Sequence, residues 1–192
     1  MKHVLVAYVE DKPGVLNRVV SLFRRRAFNI DSLTVGRTET EGVSRMTIVV
    51  DTDEIGIARV EANLYKLVNV LRVDDVTIRK PILRDLALVK VTTTGSIRAE
   101  VLLLCQAYEG KLVDITSSSV VIEVTGPPEK IESFLGLMEP FGIIESVQTG
   151  VVAMARGAEA VTINPPFVEA SVPENNGHHA PDDDGLVLSH SV

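Results

Sequence analysis

One short run of residues could hold a small anion. Residues 11–16 read DKPGVL and stand between an apolar run at residues 4–9 and apolar residues spaced as on one face of a helix. Pro13 fixes φ for a turn, and Gly14 has no Cβ to block an approaching ligand. Because the first N–H groups of a helix have no partner within the helix, they are free to bind a carboxylate. The run predicts either such a site or a plain strand-to-helix turn, and its residues alone leave both open.

The other residues that could do chemistry are not grouped as in an active site. Paired carboxylates stand at Glu39 and Glu41, in an expected turn, and at Asp74 and Asp75, in an expected strand, and we interpret both pairs as solvated. No histidine stands beside a nucleophile as a general base would. The histidines lie at the chain ends and in the C-terminal stretch: His3, His178, His179 and His190. An enzyme is therefore the less favoured class, and a metal site at the C-terminal histidines and aspartates is less favoured than a solvated segment.

Composition and charge argue against several further classes. A net charge of -7 argues against a sequence-independent nucleic-acid binder, which needs a basic face. The one tight basic cluster, at residues 24–26, is expected to lie at the C-terminal dipole of a helix. Cys105 is the sole cysteine, so no intrachain disulfide forms, and its apolar neighbours predict a buried side chain. No bilayer-spanning apolar stretch and no signal-peptide pattern is found, which predicts a cytoplasmic chain with no membrane partner.

Apolar periodicity in residues 1–80 predicts a small α+β domain. Asp53 is the expected N-cap of the second helix. The order is β-α-β-β-α-β, in which two helices pack on one face of a four-stranded antiparallel sheet. The predicted strands are residues 4–9, 30–35, 45–50 and 70–78, and the predicted helices contain residues 16–23 and 57–67.

The same order recurs in residues 84–157, so we expect two ferredoxin-like βαββαβ domains. From Ala158 the composition shifts to Pro, Asn, Gly, His and Asp, which predicts a disordered tail over residues 158–192. The strands of the second domain are predicted at residues 86–91, 111–115, 120–124 and 143–152, and its helices at residues 97–108 and 129–138.

Several motifs resemble a known family. Residues 11–19 (DKPGVLNRV), 28–35 (FNIDSLTV) and 44–48 (SRMTI) resemble the ACT domain of acetolactate synthase regulatory (small) subunits. The resemblance continues in chain order and covers residues 1 to about 157. Successive signatures of that subunit are similar to residues 66–71 (KLVNVL), 84–91 (RDLALVKV), 110–116 (GKLVDIT) and 150–157 (GVVAMARG).

The resemblance implies a regulatory subunit without an active site of its own. Such a subunit binds and activates the catalytic (large) subunit, in which thiamine diphosphate, Mg²⁺ and FAD are expected, whereas no cofactor is expected in this chain. Its ACT domains pair side by side into a homodimer and bind valine, an end product of branched-chain amino-acid synthesis, which inhibits the enzyme. Pairing also fits the sheet, because edge strands need to be covered.

The resemblance further implies an effector pocket at the dimer interface. Gly14 would let the ligand approach, the amides of Val15 and Leu16 would bind its carboxylate, and the Asn29 amide would serve as donor and acceptor. The side chains of Leu16 and Ile30 would contact the isopropyl group of the bound valine. From the residues alone, a turn role for Asn29 and core packing for Leu16 and Ile30 remain open. One chain would contribute Asp11, Gly14, Val15 and Leu16, and its partner Asn29 and Ile30.

This chain departs from the family at two places. Asp11 stands where many members carry Asn, so its carboxylate would either pair with the effector's ammonium group or repel its carboxylate. The chain also extends beyond Gly157, past the usual ending of the family. Valine, leucine and isoleucine are not separated by these residues, since one methylene in an apolar pocket is worth about 1–3 kcal/mol. A stand-alone ACT sensor that regulates another enzyme is the alternative function.

Overall fold

The computed structural model describes residues 1–95 and 97–157. The disordered tail predicted at residues 158–192 lies outside the described residues. The histidines and aspartates considered there as a metal site lie outside them too. The described helices are all too short or too polar to cross a membrane. The chain forms two α+β units of the predicted order, which confirms the fold class.

The first unit is a four-stranded antiparallel sheet with two helices on one face. Its strand order is β2-β3-β1-β4, the order of the split βαβ arrangement. The predicted cap is present, because the Asp53 carboxylate accepts a hydrogen bond from the Gly56 amide at 2.7 Å. The elements are β1 (Lys2–Glu10), α1 (Val15–Arg25), β2 (Ile30–Arg37), β3 (Val43–Asp51), α2 (Glu54–Leu64) and β4 (Val70–Asp75).

Successive side chains of β1 point to opposite faces of the sheet, and both faces are buried. Leu5, Ala7 and Val9 face the helices and join the apolar side of α1 and α2 in one core. The side chains between them, those of Val4, Val6 and Tyr8, lie on the opposite face and are also buried. The continuous apolar run at residues 4–9 therefore reflects a strand covered on both sides.

The second unit repeats the order with its own core. Its sheet has the order β6-β7-β5-β8, and a further strand, β9, pairs with β5. Cys105 is 3% exposed in this core, as predicted, and burial raises the pKa of its thiol. The elements are β5 (Ile82–Thr92), α3 (Ile97–Ala107), β6 (Lys111–Ile115), β7 (Ser119–Gly126), α4 (Pro128–Met138), β8 (Ile143–Gln148) and β9 (Val152–Met154).

Two predicted strands were wrong in extent. The strand predicted at residues 70–78 ends at Asp75, because the Asp75 carboxylate accepts hydrogen bonds from the Thr77 amide and hydroxyl and starts a 3-10 turn at Thr77–Arg79. The strand predicted at residues 143–152 is divided in two. β8 ends at Gln148, and Gly150, with a φ of +86°, turns the chain before β9 begins.

The segment after β8 joins the two units. We name residues 149–156 the strap. The strap residues Val151 and Ala153 are buried against the outer face of the first sheet, among Val4, Val6 and Tyr8. The two units therefore share a third apolar core in addition to their own two.

Candidate functional site

The start of α1 is open and has no side-chain cap. Gly14 is the N-cap residue with a φ of +84°, and no side chain caps the helix or places an acidic group in its first turn. A Cβ built on Gly14 would meet no atom within 4 Å. Solvent or a ligand must therefore satisfy the free amides at the positive end of this helix dipole.

The hydrogen bonds of the turn determine which amides are available. The Val15 amide donates to the Lys12 carbonyl at 3.3 Å, and the Arg18 amide donates to the Gly14 carbonyl at 3.1 Å. The amides of Leu16 and Asn17 have no acceptor among the described residues. Asn17 was not singled out from the sequence, although its place in the first turn of the helix was a signal that could have found it.

Asn69, which was not among the predicted site residues, holds the turn in place. Asn69 donates through its side-chain amide to the Glu10 carboxylate and accepts from Arg18 at 2.6 Å, so it connects the end of β1 to α1. The hydrogen bond from Asn69, followed by that from Lys12, lowers the pKa of Glu10. Since Asn69 lies just before β4, far along the chain, local sequence gave no signal of this role.

Asp11 has a cationic neighbour. Its carboxylate lies 3.4 Å from the Arg37 guanidinium, and its amide donates to the Gly42 carbonyl at 2.8 Å. The Asp11 side chain is 42% exposed, so the pair is partly screened by solvent. Arg37 therefore offsets part of the negative charge that Asp11 brings to the start of α1.

The remaining predicted residues lie at the other end of the sheet. Ile30 pairs with Val50, whereas Arg37 pairs with Ser44, next to the end of β1. Arg37 is seven residues along the strand from Ile30, a distance of about 23 Å at about 3.3 Å per residue. One protomer therefore does not bring Asn29 and Ile30 together with the turn at residues 11–16.

Burial divides the predicted residues by role. The Val15 side chain is 4% exposed and belongs to the core, and its amide, predicted to bind the effector carboxylate, donates to the Lys12 carbonyl instead. Ile30 is half-buried against the same core, which agrees with core packing. Leu16 is 43% exposed and does not join the core. Asn29 is exposed and donates weakly to Asp31 at 3.4 Å, so its amide is accessible.

A second group of titratable residues surrounds the start of β1. His3 is 3% exposed, and its Nδ1 lies 3.1 Å from the Asp75 carboxylate, while its Nε2 has no partner among the described residues. Asp74 accepts from Arg72 at 2.7 Å. Interpreting Asp74 and Asp75 as solvated was wrong, because their side chains are 16% and 19% exposed and carry these partners.

The described residues contain no group of three metal-ligating side chains.

Comparison with known proteins identifies the family of both units. A family profile described as "AHAS small subunit-like ACT domain" matches residues 5–72, and one described as "Small subunit of acetolactate synthase" matches residues 84–157. The acetolactate synthase small subunit of Mycolicibacterium smegmatis is 43% identical over 159 residues, which cover 83% of this chain and 94% of the relative. This chain belongs to the acetolactate synthase small-subunit family.

Further relatives cover the same part of the chain. The probable acetolactate synthase small subunit of Archaeoglobus fulgidus is 45% identical over 157 residues, which cover 82% of this chain and 98% of the relative. The crystal structure of the acetolactate synthase small subunit from Thermotoga maritima superposes with a TM-score of 0.76 at 37% identity, over 83% of this chain and 99% of that chain. The first unit is accordingly an ACT domain. The second profile ends at Gly157, where the extension of this chain begins.

Proposed function

We propose that this chain binds and activates the catalytic subunit of an acetolactate synthase, and that valine bound to its ACT domains inhibits the assembled enzyme. The observation that carries the proposal is the uncapped start of α1, which has an exposed Gly14 and no acidic residue in its first turn. A carboxylate there would accept hydrogen bonds from the free amides of Leu16 and Asn17 and would interact favourably with the helix dipole. In this proposal the Asp11 carboxylate would pair with the effector's ammonium group.

The site becomes complete only with a second copy of the chain. β2 is an edge strand, with β3 on one side only among the described strands. If two β2 strands pair antiparallel about a two-fold axis, Asn29 and Ile30 of the partner lie beside Arg37, at the end of the sheet that carries Asp11 and Gly14. Such a pairing would assemble one pocket from residues of two chains.

Exposed apolar side chains support the same dimer. Leu16 and Val20 are one turn apart on α1 and are 43% and 40% exposed. Val35 of β2 pairs with the buried Met46, so it lies on the helix side of the sheet, and it is 43% exposed. A partner sheet at the β2 edge would remove these groups from water.

The strap gives an effector a route to the second unit. The Val151 amide donates to the Ser32 hydroxyl and the Thr34 hydroxyl donates to the Val151 carbonyl, both at 3.0 Å. Ser32 lies on β2, three residues after Asn29. Because an effector shifts an equilibrium only by its difference in affinity between two states, we propose that valine prefers one position of β2 and that the strap passes that preference to the second unit.

The chemistry of acetolactate formation belongs to the catalytic subunit in this proposal. Thiamine diphosphate, Mg²⁺ and FAD are expected in that subunit, and this chain contributes regulation. A stand-alone ACT sensor of another enzyme would use the same turn. The match of both units, over 94% of the Mycolicibacterium smegmatis small subunit, favours the synthase as partner.

Reconstitution tests the proposal. The rate of acetolactate formation by the catalytic subunit of the same organism is measured with and without this chain, across titrations of valine, leucine and isoleucine. We expect a higher rate with the chain and a fall in that rate as valine is added. A rate that the chain leaves unchanged would contradict the partner. Activation that none of the three amino acids reverses would contradict the effector site.

A further inference from the structure

A basic groove lies at the C-terminal ends of α1 and α2. Its volume is about 280 Å³. Leu22 and Leu67 give it an apolar part, and three cationic side chains surround them. We name this surface the basic groove, and its lining residues are Leu22, Arg25, Arg26, Asn63, Lys66 and Leu67.

The cations of the basic groove are not neutralised by the chain around them. Within the described part of the chain, no carboxylate lies within 4.0 Å of Arg25, Arg26 or Lys66. Ala62 stands one turn before Lys66, at the position from which an acidic side chain could have paired with it. The adjacent Arg24 adds a fourth cation. Because each helix end contributes about half a negative charge, the surface stays positive.

The C-terminal extension has the complementary charge. Residues 158–192 contain six carboxylate side chains and no Lys or Arg, so they account for most of the net charge of -7. Residues 182–188 read DDDGLVL, which places three carboxylates directly before Leu186 and Leu188. The basic groove is complementary to this segment, because its cations lie beside two leucines, Leu22 and Leu67.

The extension is long enough to reach this surface. Asp182 is 25 residues beyond Gly157, the last described residue. A random coil of that length spans about 25–30 Å. Fully extended, 25 residues span at most about 85 Å, about twice the roughly 40 Å diameter of a compact folded part of this size, so every part of its surface is within reach.

We propose that residues 182–188 dock in the basic groove, with Asp182, Asp183 and Asp184 on its cations and Leu186 and Leu188 against its leucines. Arg26 precedes Asn29 by three residues. If the proposed function holds, the docked segment therefore lies beside the half of the effector site that each chain lends to its partner. The docking itself requires neither effector nor catalytic subunit.

Zero-length crosslinking of the full chain tests the docking. A carbodiimide joins a carboxylate to an amine only when the two are in contact, and Lys66 is the amine of the basic groove. We expect a crosslink between Lys66 and the extension, detected by mass spectrometry. It should be lost at about 1 M NaCl, where the Debye length falls to about 3 Å.

Matched variants locate both partners of the contact. The triple change Asp182→Asn, Asp183→Asn and Asp184→Asn should lower the Lys66 crosslink by about fivefold or more. The triple change Glu159→Gln, Glu169→Gln and Glu174→Gln removes the same charge elsewhere in the extension and should retain the crosslink. On the folded part, Arg26→Glu should lower the yield, and Arg79→Glu, an equal change outside the groove, should retain it.

Three results would overturn the docking. The first is no Lys66 crosslink under low salt. The second is an equal spread of crosslinks over other exposed lysines such as Lys80 and Lys111. The third is a Lys66 crosslink that is insensitive to Arg26→Glu and to the aspartate changes. None of these results depends on valine or on the catalytic subunit, so failure here is distinct from failure of the proposed function.

Discussion

Gly14 combines two properties that a carboxylate-binding turn requires. Its φ of +84° lies in the left-handed region, which L side chains rarely adopt, and the space where a Cβ would stand is open. Most side chains there would therefore cost about 1–2 kcal/mol of backbone strain, although the Cβ itself would meet no atom within 4 Å. We propose that the carboxylate of the bound effector occupies this open space.

Substitution of Gly14 tests the charge of that space. Gly14→Asp should raise the valine concentration needed for inhibition by about tenfold or more, because a carboxylate in the ligand's place repels the ligand carboxylate. Gly14→Asn is the matched control, since Asn tolerates the left-handed region and is neutral, and it should have the smaller effect. Activation without valine should persist in both variants. Equal inhibition of wild type and Gly14→Asp would remove Gly14 from the site.

Glu61 provides a pH test of the packing around β4. Burial, followed by the charges of Asp75 and Asp74, raises the pKa of Glu61 above 4.5. The folded chain therefore binds this proton more tightly than the unfolded chain, and its stability falls as the pH rises from about 4.5 through the raised pKa.

Glu61→Gln should remove this penalty. We expect a higher melting temperature than wild type at neutral pH, with the difference vanishing below about pH 4.5. Scanning fluorimetry over a pH series measures it. Glu41→Gln, at an exposed position in the turn between β2 and β3, serves as control. A destabilised Glu61→Gln variant at neutral pH would mean that the ionised carboxylate has a partner that stabilises it.

At the scale of elements, the strap depends on two hydroxyls of β2. Gly150 leaves no room for a side chain, because a Cβ would stand 2.8 Å from the Ser32 hydroxyl and 3.0 Å from the Thr34 hydroxyl. Arg45 adds a third bond, to the Ala153 carbonyl. The strap is thus held to the ACT sheet by specific polar contacts as well as by the apolar side chains of Val151 and Ala153.

The combined change Ser32→Ala and Thr34→Val should uncouple the two units. Loss of two hydrogen bonds should cost about 1–3 kcal/mol of stability, measured by denaturant unfolding. Valine affinity, measured by calorimetry, should change little, while the maximal inhibition of the reconstituted enzyme should fall. Thr125→Val removes an exposed hydroxyl from the second sheet as a control. Full inhibition in the double variant would show that coupling bypasses the strap.

The sequence predicted the elements better than their junctions. The continuous apolar run at residues 4–9 predicted β1, and the helical spacing at residues 16–23 predicted α1, since a local pattern reflects which faces are buried. Residues 143–152 were predicted as one strand, so the turn at Gly150, after which Val151 and Ala153 are buried, was missed. Their burial depends on the outer face of a distant sheet, which no local pattern records.

In the candidate site, too, local features were predictable from the sequence and contacts between distant parts of the chain were not. Gly14, Asp11 and Leu16 were identifiable because the turn is local. Arg37 and Asn69 hold that turn from β2 and from the residue before β4, so their roles depend on strand pairing that residue types alone do not reveal. The placement of Asn29 and Ile30 in a partner's site stays a prediction.

At the scale of the whole molecule, the account requires a dimer through the β2 edge. Val35→Lys places a charge on that edge and should shift the chain toward monomer in analytical ultracentrifugation, with a parallel loss of valine binding. Leu103→Lys is the control, because Leu103 is 66% exposed on the second unit. A Val35→Lys dimer that binds valine normally would place the interface elsewhere.

The most direct measurement is complementation between two defective chains. Gly14→Asp spoils the turn, and Asn29→His crowds the end of β2, so each homodimer should have two impaired sites. In a heterodimer purified through two different tags, one site combines the intact turn of one chain with the intact Asn29 of the other. Calorimetry should then detect one valine site per heterodimer with near wild-type affinity, beside one doubly impaired site. A heterodimer that binds valine no better than either homodimer would contradict a site shared between two chains.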